Sequence, residues 1–298
     1  MDLQDAIDGY LLFKTGAASA ETIKTDSVLF RQFARWAATE APRDVGEFEP
    51  EHVIAYLDHQ RGRGLAASTV KRHYALLSAF WSWLTDPDIG LVDANIVDPV
   101  PMPKEPKRVV QVLTIDNVLA LLTAATHTEQ PRRDRAIVLF LLDSCCRISE
   151  VAGLELPHVD MKSGKVLVFG KGAKERYTYL GKRALQALWL YVKQERPEPR
   201  QIGSRHVFLG REGYPLDRHS MRKVITRLSR AAGVKAYPHL FRHTGALWRL
   251  RAGMDLLSLQ RLLGHEKLET TQQYLTALNN EDVEERAART SPGDTMRL

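Results

Sequence analysis

Residues 238–275 read PHLFRHTGALWRLRAGMDLLSLQRLLGHEKLETTQQYL, and they restrict the fold more than any other stretch of the chain. Leu247 and Leu250, then Leu256, Leu259, Leu262 and Leu263, keep helical spacing. Among these apolar positions stand His239, Arg242 and His243, then His265, then Tyr274 nine residues later. Basic groups on one helix and an imidazole on a later one converge only if successive helices fold back on each other. A phenol held beside them would face a cationic pocket, which suits a nucleophile attacking a phosphodiester.

The rest of the 298-residue chain sets bounds on that reading, and its length allows one or two domains. The 44% hydrophobic and 26% charged content is that of an ordinary soluble globular chain. Cys145 and Cys146 are adjacent, so they make neither a disulfide framework nor a zinc site, and a reduced, cytoplasmic setting is expected. The N-terminus MDLQDAIDGY is acidic and has no signal-peptide core. No apolar run approaches ~18 residues, so no membrane span is expected. Residues 1–100 carry 9 Lys+Arg against 15 Asp+Glu, and the remainder carries 33 against 21. A basic C-terminal part suits a polyanionic partner, although a solvated basic surface has the same composition.

In chain order, residues 2–14 and 21–40 read as amphipathic helices, the second with Ile23, Leu29, Phe30, Phe33 and Trp36 as its stripe. Residues 49–60 form a third helix, RGRG a flexible basic turn, and Ser68 the N-cap of a fourth, TVKRHYALLSAFWSWL. No acidic residue lies between Asp58 and Asp86, so Arg61, Arg63, Lys71 and Arg72 form a basic patch suited to DNA phosphates. A solvated helix start is the plainer alternative there. Phe80, Trp81 and Trp83 read as core rather than base-stacking residues. Residues 86–113 hold five Pro and read as a linker, basic at Lys104, Lys107 and Arg108, the last a candidate DNA contact.

Thr114 is expected to cap the next helix, and a nearly all-apolar helix then delivers Arg147. Residues 166–169 and 176–180 read as strands joined by the GKGAKE turn, which holds Lys171. Helices follow at 182–195 and 217–232, the latter with Arg218, Arg222, Lys223, Arg227 and Arg230. Arg222 and Lys223 are the DNA-contact candidates. Residues 280–289 read as a charged helix that docking on a neighbouring subunit would stabilise. The expected fold is mainly α with a small β-hairpin in the C-terminal part, an α+β chain. Its parts are a helical domain at 1–85, a linker at 86–113 and a second domain at 114–298.

RISE at Arg147, GKG followed by KER at Lys171, H-x-x-R-H-T at His239 and LLGH…TT…Y ending at Tyr274 stand in order. Together they resemble the tyrosine recombinase (phage integrase) family, with the size and layout of its Xer-type members. The resemblance implies a two-domain DNA clamp: a SAM-like core-binding domain plus a catalytic domain with a C-terminal subunit-exchange segment. It implies site-specific cutting and rejoining of double-stranded DNA through a 3′-phosphotyrosine and a Holliday junction. The assembly would be a homotetramer on DNA, or a heterotetramer with a paralogue, with no membrane partner. Carried over residue by residue, the catalytic set is Arg147, Lys171, His239, Arg242, His265 and Tyr274. Cys145 and Cys146 depart from the family's common Gly and aliphatic residue, YTYL stands where Val-Pro is common, and Thr276 stands where His is frequent.

The chemistry fits these residue types. Attack of a phenol on a phosphodiester builds negative charge on nonbridging oxygens, and fixed guanidinium groups can hold two such oxygens. Arg147 and Arg242 are that clamp, with a structural ion pair to Glu150 as the alternative for Arg147. Lys171 is the expected donor to the leaving 5′-oxygen, with Lys174 as local rival. His239 is proton acceptor or phosphate donor, His265 a further phosphate donor, and His243 reads as structural. No cofactor or metal is expected, since Arg242 would repel a cation between His239 and His243. A type IB topoisomerase shares this chemistry without synapsis, and an inactive DNA-binding protein would keep the fold without it.

Overall fold

The computed structural model describes residues 1–104, 110–170, 174–278 and 282. The chain divides into two compact units, Met1–Arg108 and Val109–Leu298. In the first, α1 (Leu3–Thr15) and α2 (Ala20–Glu40) start where the Asp2 and Ser19 side chains accept backbone N–H bonds. Helix α3 (Pro50–Gly62) runs on into the RGRG stretch, and Gly64 makes the reversal at φ +74°. Helix α4 (Ala67–Leu84) therefore starts earlier than expected. Ala66 occupies the cap position and Ser68 lies inside the helix, so the expected cap is corrected.

The stripes meet in an aromatic core. Phe33 stands edge-on to Tyr56 and Trp81, at centroid distances of 4.9 and 5.9 Å. Phe80 and Trp81 are fully buried, while Trp83 is half-buried against Tyr10. Inside this core the Tyr56 hydroxyl and His73 Nδ1 are 2.9 Å apart. The Pro-rich segment read as a linker from residue 86 packs on this unit as far as Val100. Val97 and Val100 belong to its core, and the Tyr74 hydroxyl donates to the Val100 carbonyl at 3.1 Å. These apolar residues have no period because an irregular chain buries them, so periodicity misses them. Lys107 and Arg108 lie outside the described residues.

The second unit opens with α5 (Ile115–Thr126), whose N-cap Thr114 exchanges bonds with Asn117. Helix α6 (Pro131–Ser144) is the buried centre, packed against α5 and two later helices. It ends in a left-handed residue, Cys145 at φ +53°, and α7 (Ile148–Ala152) follows. Strands β1 (Lys165–Phe169) and β2 (Glu175–Tyr179) pair antiparallel with Leu167 opposite Tyr177. Helices α8 (Lys182–Gln194) and α9 (Arg218–Ala231) flank an irregular segment that buries Val207, Phe208 and Leu209. Helices α10 (Pro238–Arg251), α11 (Leu256–Leu263) and α12 (Glu269–Gln272) complete the unit.

Helix α10 crosses the end of α6 at backbone contact. A Cβ on Gly245 would come within 2.1 Å of the Leu142 carbonyl oxygen and 2.7 Å of Cys145 Sγ. A small apolar cluster of Cys145, Ala246, Leu250, Leu259, Leu262, Leu263 and Tyr274 forms around this crossing. Among the described residues, no helix is long and apolar enough to cross a membrane.

Candidate active site

The crossing of α10 over α6 places most of the expected residues together. Tyr237 caps α10 and Pro238 starts it, so His239, Arg242 and His243 fall on one face at i, i+3 and i+4. Arg242 is buried, 2% exposed, and both terminal nitrogens of its fork are bonded. Nη1 donates to the Cys145 carbonyl at 2.6 Å, and Nη2 donates to the Leu263 carbonyl at 2.8 Å and to His265 Nε2 at 3.0 Å. The left-handed turn at Cys145 and the left-handed cap Gly264 (φ +65°) direct those two carbonyls at it.

Because a guanidinium only donates, His265 Nε2 accepts here, and its Nδ1–H donates to Thr271 Oγ1 at 2.9 Å. Burial, then Arg242 and Arg147, push the His265 imidazole down to about 4. It is neutral at pH 7 and turns donor toward a phosphate only on gaining a proton. His239 is exposed at the start of α10, and desolvation, Arg242 and Arg147 lower its pKa. Its ring stands edge-on to His243 at 4.7 Å between centroids.

Tyr274 is 1% exposed, and its hydroxyl lies 2.9 Å from His243 Nδ1. Burial raises the phenol to about 12, against the opposing pull of Arg242 and Arg147. Arg147 caps α7, with its side chain 42% exposed, and its charge acts on Tyr274, His239, Arg242 and His265 alike. The alternative partner for Arg147 is also present: Glu150 Oε1 accepts from Arg147 Nη1 at 3.1 Å, and Oε2 accepts its backbone N–H at 2.7 Å. Arg147 therefore has a holding partner and still exposes its guanidinium. Lys171 lies outside the described residues. Its rival Lys174 forms an exposed pair with Glu266, worth little in water.

Residues 111–281 match the model of the phage integrase family, and residues 13–91 match its N-terminal SAM-like domain. The chain belongs to the phage integrase family. It is a tyrosine-type site-specific recombinase, an enzyme of DNA recombination. The tyrosine recombinase XerD of Listeria monocytogenes is 30% identical over 291 residues, covering 94% of this chain and 97% of that protein. XerC 1 of Ralstonia nicotianae is 32% identical over 269 residues, covering 83% of this chain and 80% of its own. In fold the recombinase is similar to the Tn1549 transposon integrase in complex with a circular intermediate DNA (TM-score 0.80, 18% identity, 98% and 100% coverage). It is also similar to a lambda integrase dimer bound to a COC′ core site (TM-score 0.76, 17% identity, 94% and 97% coverage).

Three side chains that the structure brings into the candidate site were not assigned to it from sequence. Arg176 of β2 forks onto Glu150 at 2.8 and 2.7 Å, and its Nε donates to the Leu262 carbonyl at 3.0 Å. Burial works against the Glu150 charge, but Arg176 and then Arg147 outweigh it and hold the carboxyl low. Arg176 thus joins the hairpin, the Arg147 turn and the end of α11, and a Cβ on Gly264 would strike its Cδ at 2.8 Å. Thr271 supports His265, and His243 meets Tyr274. Arg176 and Thr271 stand inside the KER and TT segments, which was the available signal.

The DNA-contact candidates divide. Lys71, Arg72, Arg222 and Lys223 are exposed on the outer faces of α4 and α9. Arg61 is paired with Asp58, and Arg63 donates to Gln60 at 3.0 Å, though both remain exposed. On α9, Arg227 reaches Asp134 at 2.5 Å yet stays exposed beside Arg222, Lys223 and Arg230, so all four share the basic face.

Proposed function

We propose that Tyr274 is the nucleophile of this recombinase, joined to the 3′-phosphate of a cut strand while a 5′-hydroxyl is freed. The observation that carries this is the phenol's place: buried on an imidazole, in the field of two guanidinium groups, Arg242 and Arg147. The O–P bond forms as the P–O5′ bond breaks, and the phosphotyrosine keeps the bond energy for rejoining. Arg242 and Arg147 hold the nonbridging oxygens as charge builds there. His239, exposed beside them, and His265, once protonated, add donors to the same oxygens. Lys171 delivers the proton to the leaving 5′-oxygen, a role it takes from the family resemblance.

The exposed cations at Lys71, Arg72, Arg222 and Lys223 bind the phosphates of a specific duplex site. Arg61, Arg63 and Arg108 add to this binding. Exchange proceeds through a Holliday junction in a tetramer of this chain, or of this chain and a paralogue, acting on cytoplasmic DNA. An apolar groove between α5, α6, α8 and α10, lined by Ile115, Leu119, Leu122 and Trp248, supports the assembly as a seat for a neighbouring copy.

The test is an SDS-resistant protein–DNA adduct on nicked duplexes tiled from DNA flanking the gene, with wild type beside Tyr274→Phe. An adduct with wild type alone is the expected result. An adduct that persists in Tyr274→Phe sinks the nucleophile assignment, and tight site-specific binding without any adduct favours an inactive DNA-binding protein or a recombinase that a partner subunit must activate.

A further inference from the structure

We propose that His243 takes the proton from Tyr274 as it attacks, which makes it a catalytic residue and leaves His239 to the phosphate. The proposal rests on Tyr274 being the nucleophile. A general base must lie within about 2.6–3.2 Å of the oxygen it deprotonates, and His243 Nδ1 is 2.9 Å from the Tyr274 hydroxyl. His239 stands one ring further out, packed edge-on against His243 and open to solvent where a phosphate would arrive.

The imidazole is carried on a rigid support. Helix α10 is fixed against α6 at Gly245, and the neighbouring Arg242 is bonded to two carbonyls and an imidazole. Between a phenol and an imidazole nitrogen, the phenol is the better donor and the nitrogen the better acceptor, so the proton already points along the transfer path. Desolvation, then His239 and Arg242, hold His243 at about 4, so the ring is neutral at neutral pH, and in the tautomer with its proton on Nε2 the Nδ1 atom accepts from the phenol. The groups acting on it are His239 and Arg242 of α10 and Tyr274 beyond α12. An incoming phosphodiester brings negative charge that offsets the cationic field and raises the proton affinity of Nδ1 during attack.

The step balances. The Tyr274 O–H bond breaks, its proton passes to Nδ1, and the oxygen's electron pair forms the bond to phosphorus. The P–O5′ pair leaves on O5′, which takes its proton from the separate acid. In rejoining, His243 returns the proton to the phenolate as it departs.

His243→Asn separates proton transfer from positioning, because the amide oxygen replaces Nδ1 as an acceptor but cannot keep a proton. Single-turnover cleavage of a nicked duplex is measured for wild type, His243→Asn and His243→Ala, with site binding by gel shift as the check on folding. Both variants are expected to lose at least about 100-fold in rate while His243→Asn still binds the site. The residual rate of His243→Asn should climb with pH, as hydroxide replaces the missing base. A substrate with a 5′-bridging sulfur, which leaves without a proton, should not restore it. Cleavage by His243→Asn within about threefold of wild type would overturn the proposal and leave a positioning hydrogen bond. Rescue by the bridging sulfur would overturn it by moving the defect to the leaving group. A Tyr274→Phe adduct, run in parallel, would show that the nucleophile reading itself had failed.

Discussion

Among the described residues of the recombinase, two tyrosine–histidine pairs share one contact distance in different surroundings. Tyr56 meets His73 at 2.9 Å in the first unit, and Tyr274 meets His243 at 2.9 Å in the second. Burial raises both phenols and lowers both imidazoles to about 4. Around the first pair stand Phe33, Trp36 and the rest of an aromatic core, and Arg63, whose charge acts on both members, is exposed and bonded to the buried Gln60. Around the second stand a buried guanidinium, a half-exposed one and an open imidazole. The pair alone stabilises a fold. In the proposed function, the cations around the second pair face the charge that develops on a phosphate, and the first pair has none so placed.

The largest separation between the pairs should come from deleting each hydroxyl. Tyr274→Phe should cut adduct formation by at least ~10⁴-fold, because the proposed nucleophile is gone, while circular dichroism and site binding stay near wild type. Next, Arg242→Lys should lower single-turnover cleavage by ~10²–10³-fold, since an ammonium cannot span the Cys145 and Leu263 carbonyls and a phosphate together. No change in the first unit's stability should accompany that loss, and a matching fall there would undo the contrast.

A smaller effect is expected on acidification. His73 titrates at about 4 in the folded chain against about 6.5 when unfolded, so the unfolded state takes up its proton first. The stabilisation it confers is complete above pH ~6.5 and is lost as pH falls toward ~4, to a total of about 3 kcal/mol. Denaturant titrations of wild type and His73→Phe at several pH values check this, and an unchanged pH slope would remove His73 from the account. Smallest of all, Tyr56→Phe should cost about 1–2 kcal/mol of stability through the orphaned His73 nitrogen and leave cleavage within a few-fold of wild type.

The sequence carried the helices and the candidate site in different ways. Stripes such as Leu29, Phe30, Phe33 and Trp36 announce a helix because burial on one face needs that spacing. Thr114 was legible as a cap because its partner Asn117 is local. Ser68 misled because the turn at Gly64 set the helix start, and Val97 and Val100 were hidden because an irregular chain buries residues without a period. Tyr274, Arg242 and His239 stood out by motif spacing, but their partners did not. Glu150 meets Arg176 across 26 residues of chain, and His243 meets Tyr274 across 31, and no local rule sees so far.

Cys145 and Cys146 are the chain's two cysteines, both buried, and burial pushes their thiols up to about 11 and about 12. In the closed molecule they are shut away from alkylating reagents and poorly ionised besides. The Cys145 carbonyl is one of the anchors of Arg242, so a motion that bares its sulfur also loosens the hold on that guanidinium. The rate of thiol modification in native solution therefore keeps time on how often the crossing of α10 over α6 comes apart, without a residue changed.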